Sequence, residues 1–588
     1  MATLEGQTIA ASYKDLLQVS NSNSGIDATA RAVSDGEGTA ALLYLSTTEV
    51  YSPGAGANTG NTIFGKSAFN TSTDNASDYN TAIGELAMGT GTVAAAINNV
   101  AVGYKSLEDI TSGDSNVAVG YLALSSNAAA SSLVAVGANA LKTSVTGTYN
   151  TAVGDVALQL ATASFNTAVG ALAGSNISDG QYNTYVGAAA GDAALGADHN
   201  TGVGSYALSG ATTGASNTAL GFNAGLSITT GFGNTLLGRR AGDGFDEENY
   251  NTAIGSDALG GATTCASVVA IGAGAMIAAA TQNGTVAIGA EALASLTSGA
   301  SNTAVGHQAG NALTTTGENT LIGHGTGVAI TGIGNTAVGM NALGDGSQDS
   351  AISYCVAIGR GALTTADSTH DSGQVAVGYK ALQDADAATG TAANVAVGYE
   401  ALKVCTTGTT NTALGYQALL ACLTGSGNIA IGKDALIALT DGASNVAIGV
   451  DSGTAITTGD QNVFVGSGAG YATQDVDKAV CIGYDAGLGI MTSAADGTVA
   501  IGYEALNDLT TGARNIAIGQ GAADKLTVGD DNIAIGIDAL GSMATTDGND
   551  KNTAIGQYAL ANAGGSSNVA SANVCVGYSA GVQVTTGD

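Results

Sequence analysis

From Asn61 almost to the end of the chain, apolar and polar positions recur in one short order: Asn, a β-branched residue, Ala, Val/Ile/Leu, Gly. Asn150-Thr-Ala-Val-Gly154 is the type unit. Marked by its glycine, the unit occurs in thirty copies from Gly65 to Gly577, most often 17 residues apart. Thr151 and Val153 alternate around Ala152, which is the period of two expected of a strand, and β-branched side chains suit one. A fixed period over most of a chain predicts a solenoid, with one coil per copy. The expected fold is therefore all-β: a parallel β-roll or β-solenoid of about 30 coils with a 17-residue period.

Both faces of the predicted strand are apolar, so both are expected to be covered. The β-branched face is assigned to the coil's own core. The flat alanine face is assigned to neighbouring copies of the chain, which makes the protein an expected homo-oligomer. The motif glycine is expected at a bend or at a φ that a side chain would forbid. Ala157-Leu158 and its equivalents predict a second short strand or an extended corner packed inside the coil; Ala-Gly replaces it at Ala224-Gly225, Ala309-Gly310 and Ala469-Gly470. The opening Asn, present in 23 of the 30 copies, is expected to stack into a hydrogen-bonded ladder rather than merely to form turns, because its distance from the glycine is fixed. The structural positions singled out are Asn150, Gly154, Asn217, Gly221, Asn411, Gly415, Asn428, Gly432, Asn532 and Gly536. Longer connections at 71–78, 344–354, 363–373, 383–393, 543–551 and 563–572 are the places expected to carry any contact specificity. At about 4.8 Å per coil, thirty coils would make a rod on the order of 140 Å long.

Residues 1–56 lack the repeat and read as a small N-terminal module, with 57–588 the repeat rod. Segment 8–17 fits a helix or a strand, while 41–45 and 47–51 read as strands. The opening residues hold no basic stretch followed by an apolar core, so no secretory leader is expected. No apolar run approaches membrane-spanning length.

Composition narrows the function. Fifteen Lys and Arg against 47 Asp and Glu give a net charge of −32, without the basic cluster that nucleic acid requires. The six cysteines form no CxxC pair and no disulfide framework. Cys481 and Cys575 fill the alanine slot, Cys355 the Asn slot, and Cys265, Cys405 and Cys422 the connecting segments. His307 and His324, 17 residues apart, are placed to stack. The acidic stretches 243–248 and 530–531 read as solvated turns. No catalytic, metal or cofactor constellation is found, and an enzyme is not expected. The Tyr residues that recur just after the glycine, such as Tyr104, Tyr379 and Tyr503, fit corner packing better than a platform for sugars.

The units, for example Asn428-Ile-Ala-Ile-Gly432, resemble those of the left-handed parallel β-roll in the heads of trimeric autotransporter adhesins. The whole chain resembles tailed-phage fibre and virion structural proteins, through Tyr13-Lys-Asp-Leu-Leu-Gln-Val and the segment from Ile26 to Thr39. That resemblance implies a homotrimeric virion fibre. Residues 1–56 would bind a virion attachment protein, and the rod would project toward a host-surface glycan or protein. Neither nucleic acid nor membrane insertion is implied. A capsid decoration fibre without a receptor role, and a bacterial surface adhesin, remain as alternatives.

Overall fold

The computed structural model describes residues 18–19, 31–34, 40–45 and 50–51 by backbone, and 60–69, 76–278, 281–328, 330–344, 352–365, 372–385, 393–542, 549–562 and 571–584 with side chains. The chain forms two compact units, Met1–Asn283 and Gly284–Asp588. The first opens with an antiparallel meander of β1 (Gln18–Val19), β2 (Arg31–Ser34), β3 (Ala40–Leu45) and β4 (Val50–Tyr51). Two of these overlap the strands expected at 41–45 and 47–51, whereas segment 8–17 lies outside the described residues.

A stack of three-residue strands follows, from β5 (Thr62–Phe64) to β17 (Val269–Ile271) in the first unit. The second unit is built the same way, from β18 (Val286–Ile288) to β34 (Val574–Val576). Neighbouring strands are parallel and in register: Thr151, Ala152 and Val153 face Thr167, Ala168 and Val169. In the second unit Thr412, Ala413 and Leu414 face Ile429, Ala430 and Ile431. The parallel solenoid read from the period is thus present in each unit.

Each full coil carries one strand, not two. The Ala157-Leu158 segment is a turn, because Val156 and Leu158 take φ of 61° and 48°. This left-handed region costs a side chain about 1–2 kcal/mol per residue, so leucine gives no warning of it in a sequence. The turn persists because its backbone is bonded to both neighbouring coils: Val156 N donates to Ala138 O (2.8 Å) and Leu158 N to Ala173 O (3.0 Å).

The strand faces are also the reverse of the expected assignment. Ala152 is fully buried, while Thr151 and Val153 remain partly exposed, and the same pattern repeats through both units. A 17-residue coil is too narrow for branched side chains from one wall to meet leucines from the other. Alanine therefore occupies the inner strand position opposite Leu158, and the β-branched pair points out.

Exceptions to the alanine rule confirm the size limit. Beyond the first coil, Tyr185, Leu236, Leu321 and Phe464 are the large residues at the strand centre, and all are essentially buried. Each is flanked by glycines where other coils carry leucine: Gly174 and Gly191, Gly225 and Gly242, Gly310 and Gly327, Gly453 and Gly470. A Cβ at Gly191 would lie 2.4 Å from the Tyr185 ring, and one at Gly470 would lie 2.5 Å from the Phe464 ring. The neighbouring strand centre also yields to Tyr185, since a Cβ on Gly202 would lie 2.9 Å from it. Close packing thus explains the Ala-Gly variants: a bulky group on one wall requires its absence from the other.

Candidate functional site: the corners and outward face of the coil

A hydrogen-bonded ladder and a stack of glycines fix the corners from which the outward side chains project. In the first, Asn428 N and Nδ2 both donate to Asn411 Oδ1, at 2.9 and 3.1 Å, and Nδ2 donates again to Gly442 O at 2.8 Å. Asn428 Oδ1 in turn accepts from Asn445 N at 2.9 Å. Asn150 donates to Ala163 O (2.7 Å) and accepts from Asn166 N (2.8 Å). Asn217 donates to Gly231 O (2.8 Å) and accepts from Asn234 N (3.0 Å). Asn411 N donates to Asn394 Oδ1 and its Nδ2 to Gly425 O, each at 2.8 Å. Asn532 donates to Asn549 O at 2.8 Å and accepts from Asn552 N at 3.0 Å. All five are buried, so each amide satisfies backbone groups that water does not reach.

At the second corner the motif glycines stack. Gly154, Gly221, Gly415, Gly432 and Gly536 take φ of 144°, 145°, 148°, 138° and 134°. A Cβ on Gly154 would lie 2.3 Å from Gly170 O, and one on Gly432 would lie 2.2 Å from Gly449 O. Both the conformation and the close approach of the next coil demand glycine.

A further ladder escaped the sequence reading. Six residues before the motif glycine, a short polar side chain accepts the backbone N–H of the preceding coil. Asp460 Oδ1 accepts from Ala443 N and Asp477 Oδ1 from Asp460 N, each at 2.7 Å. Asp496, Asp530, Ser164 and Ser426 do the same. Because Asp, Asn and Ser alternate in this role, the signal is one of hydrogen-bonding capacity rather than identity.

The outward face combines branched and aromatic groups. Leu220, Leu237 and Leu414 are 47%, 41% and 45% exposed on successive or equivalent strands. Tyr379, Tyr399 and Tyr416, just after their glycines, stack at 5.1 and 5.0 Å with planes within 18°. Along another corner Tyr149, Phe165, Tyr182 and His199 stack at 5.2, 5.0 and 5.1 Å. His307 and His324 stack at 5.2 Å. Each stacked ring covers one face of its neighbour, while Tyr149, Tyr182 and Tyr416 stay exposed at the corner. Corner packing within the chain accounts for these aromatics.

The remaining candidates disperse. Cys265, Cys355, Cys405, Cys422 and Cys481 are buried thiols outside any disulfide, and Cys575 is half-buried. Burial pushes the Cys265 thiol up to about 12. In the stretch 243–248, Asp243 pairs with Arg240 at 2.7 Å, and Glu248 is buried, which raises its carboxyl above the ordinary range. Asp531 is paired with Arg514 at 2.7 Å. Among the described residues no group of three or more His, Cys, Asp and Glu is gathered to hold a metal, and no helix is long and apolar enough to cross a membrane. Of the longer connections, 345–351, 366–371, 386–392, 543–548 and most of 71–78 and 563–572 lie outside the described residues.

No protein-family model matches the chain, and no curated protein matches its sequence. The class defined by the fold is a parallel β-solenoid built from asparagine and glycine corners. It is consistent with a structural, fibrous protein.

Proposed function

We propose that this chain is a homotrimeric structural fibre of a virion, attached through residues 1–56 and projecting its coils outward to meet a host surface. The observation that carries this reading is the outward face itself. Every strand from β5 to β34 presents two side chains away from its own core, most of them Thr, Val, Ile or Leu, and their spacing repeats with the coil. A second copy carries the same spacing, so contacts made by one coil recur along the stack, and self-association gains from every repeat. Alanine, used up inside the coil, takes no part; the interface belongs to the branched residues. The N-terminal resemblance supports attachment at that end, and the acidic surface keeps a repetitive particle soluble.

A second reading is a decorative capsid fibre without a receptor. The face-to-face stacking of the aromatic ladders favours it, since each stacked ring has at least one face taken by its neighbour and closed to a sugar.

Sedimentation equilibrium of the full chain tests the assembly: a trimer is expected, and Val119→Lys with Val136→Lys and Val153→Lys should weaken it while leaving the coils folded. A wild-type monomer would sink the interface. Gold-labelled antibody against residues 1–56, imaged on intact particles, tests placement. Label at the outer tip instead of the particle surface would overturn the proposed attachment.

A further inference from the structure

Among the described residues eight cations have an anionic partner: Lys66, Lys105, Arg239, Arg240, Lys403, Lys433, Arg514 and Lys525 all form ion pairs. Arg360 and Lys380 differ. They lie on successive coils, and both gather over one ring, with Arg360 Cζ 6.0 Å and Lys380 Nζ 5.5 Å from the Tyr379 centroid. The other side of Tyr379 is taken by Tyr399. Two carboxylates lie near enough to feel Lys380 without forming an ion pair with it: Glu400, which is bound by Lys403 at 2.8 Å and by Gln417 at 3.0 Å, and Asp384, whose burial raises its carboxyl above the ordinary range.

Between these cations lies a cavity of about 190 Å³, lined by Asn341, Arg360, Gly361, Thr364, Lys380 and Gln383. It opens because Gly361 stands in a slot filled by Asn341 in the coil before and by Lys380 in the coil after; a Cβ there would come within 3.4 Å of Thr364 Oγ1. Thr364 Oγ1 and Gln383 Oε1 are buried without a hydrogen-bond partner. Buried polar atoms seldom lack partners, and two like charges over one ring repel each other. An oxyanion relieves both conditions. It accepts from the guanidinium fork, from the ammonium, from the Thr364 hydroxyl, and from the Gln383 amide once that group is turned to present Nε2.

We infer that this notch binds a phosphate or sulfate group. A free ion and an ester on a sugar both supply this group; the recognising chemistry is the same. The test is equilibrium dialysis of the full chain at low ionic strength against radiolabelled inorganic phosphate, with glucose 6-phosphate and glucose 6-sulfate as competitors. Saturable binding of one phosphate per chain is expected. Arg360→Ala with Lys380→Ala should weaken it at least tenfold. Gly361→Asn, which fills the notch and keeps both charges, should weaken it as well, whereas Lys142→Ala should not. Circular dichroism confirms that each variant is folded. Competition by the esters assigns the site to a group on a larger ligand, and its absence assigns it to the free ion; both support an oxyanion site. The inference is overturned if phosphate does not bind saturably, or binds equally to the double variant.

Discussion

Exchanging a leucine between the two walls of one coil tests the size rule directly. Leu321 is fully buried at a strand centre, with Gly327 facing it. Leu321→Ala removes a buried isobutyl group from a site with little room to collapse and should cost about 2–5 kcal/mol. Gly327→Leu alone should also destabilise, by about 1–3 kcal/mol, since its Cβ would lie 2.8 Å from Leu321 Cδ2. The double variant recreates the ordinary coil, alanine on the strand and leucine on the turn. Gly327 has φ of 60°, and Leu343, one coil on, takes 58°, so leucine fits the backbone. The double variant should therefore be more stable than Leu321→Ala, with a favourable coupling of at least ~2 kcal/mol against the ~0.5 kcal/mol scatter of independent sites. Because coils open locally, the measurement is native-state hydrogen exchange at Gly310 and Gly327, whose amides donate to Thr326 O and Ala342 O at 2.9 and 3.0 Å. Additive effects, or less protection in the double variant than in Leu321→Ala, would refute the rule.

Gly170→Ala forces a Cβ to within 2.4 Å of Gly187 O at φ of 137° and should cost about 3 kcal/mol or more, read as lost amide protection in the adjoining coils. Asn428→Ala strips the acceptor used by Asn445 and the donor used by Gly442; a loss of about 2–4 kcal/mol is expected from the buried groups left unpaired, measured by the same exchange. Glu248→Gln should stabilise the first unit at pH 7 in thermal melts. Desolvation raises the folded carboxyl above its ordinary 4.5, so the folded state holds its proton more tightly and stability falls as pH rises above that value. The advantage of glutamine should vanish near pH 4, and an equal advantage at both pH values would contradict the account.

The period, the strand and the need for glycine could be read from the sequence because each rests on a residue type with few substitutes. The facing of the strand could not. Thr151, Ala152 and Val153 are compatible with burial on either side, and only the width of a 17-residue coil decides that alanine goes in. The turn at Leu158 was hidden for the opposite reason, since leucine disfavours the left-handed backbone that stacking imposes on it. The asparagine ladder left a constant residue, whereas the corner at Asp460, Ser426 and their equivalents shares a function among three residue types and leaves no constant letter. The notch at Gly361 depends on side chains from three coils, a juxtaposition that no linear motif carries.

The contact between successive motif glycines has a consequence for how such a chain can change length. Each coil repeats the last by translation, so a recombination event that deletes one whole period in phase rejoins glycine to carbonyl and asparagine to asparagine without a scar. An event that is out of phase places a Cβ where a carbonyl must sit, and the stack cannot close. Some in-phase cuts are closed to it as well: one that parts Tyr185 from Gly191, or Phe464 from Gly470, brings a ring against a leucine or leaves a hollow. Within each unit the interior thus sets a grammar of permitted joints, and length is inherited in whole coils.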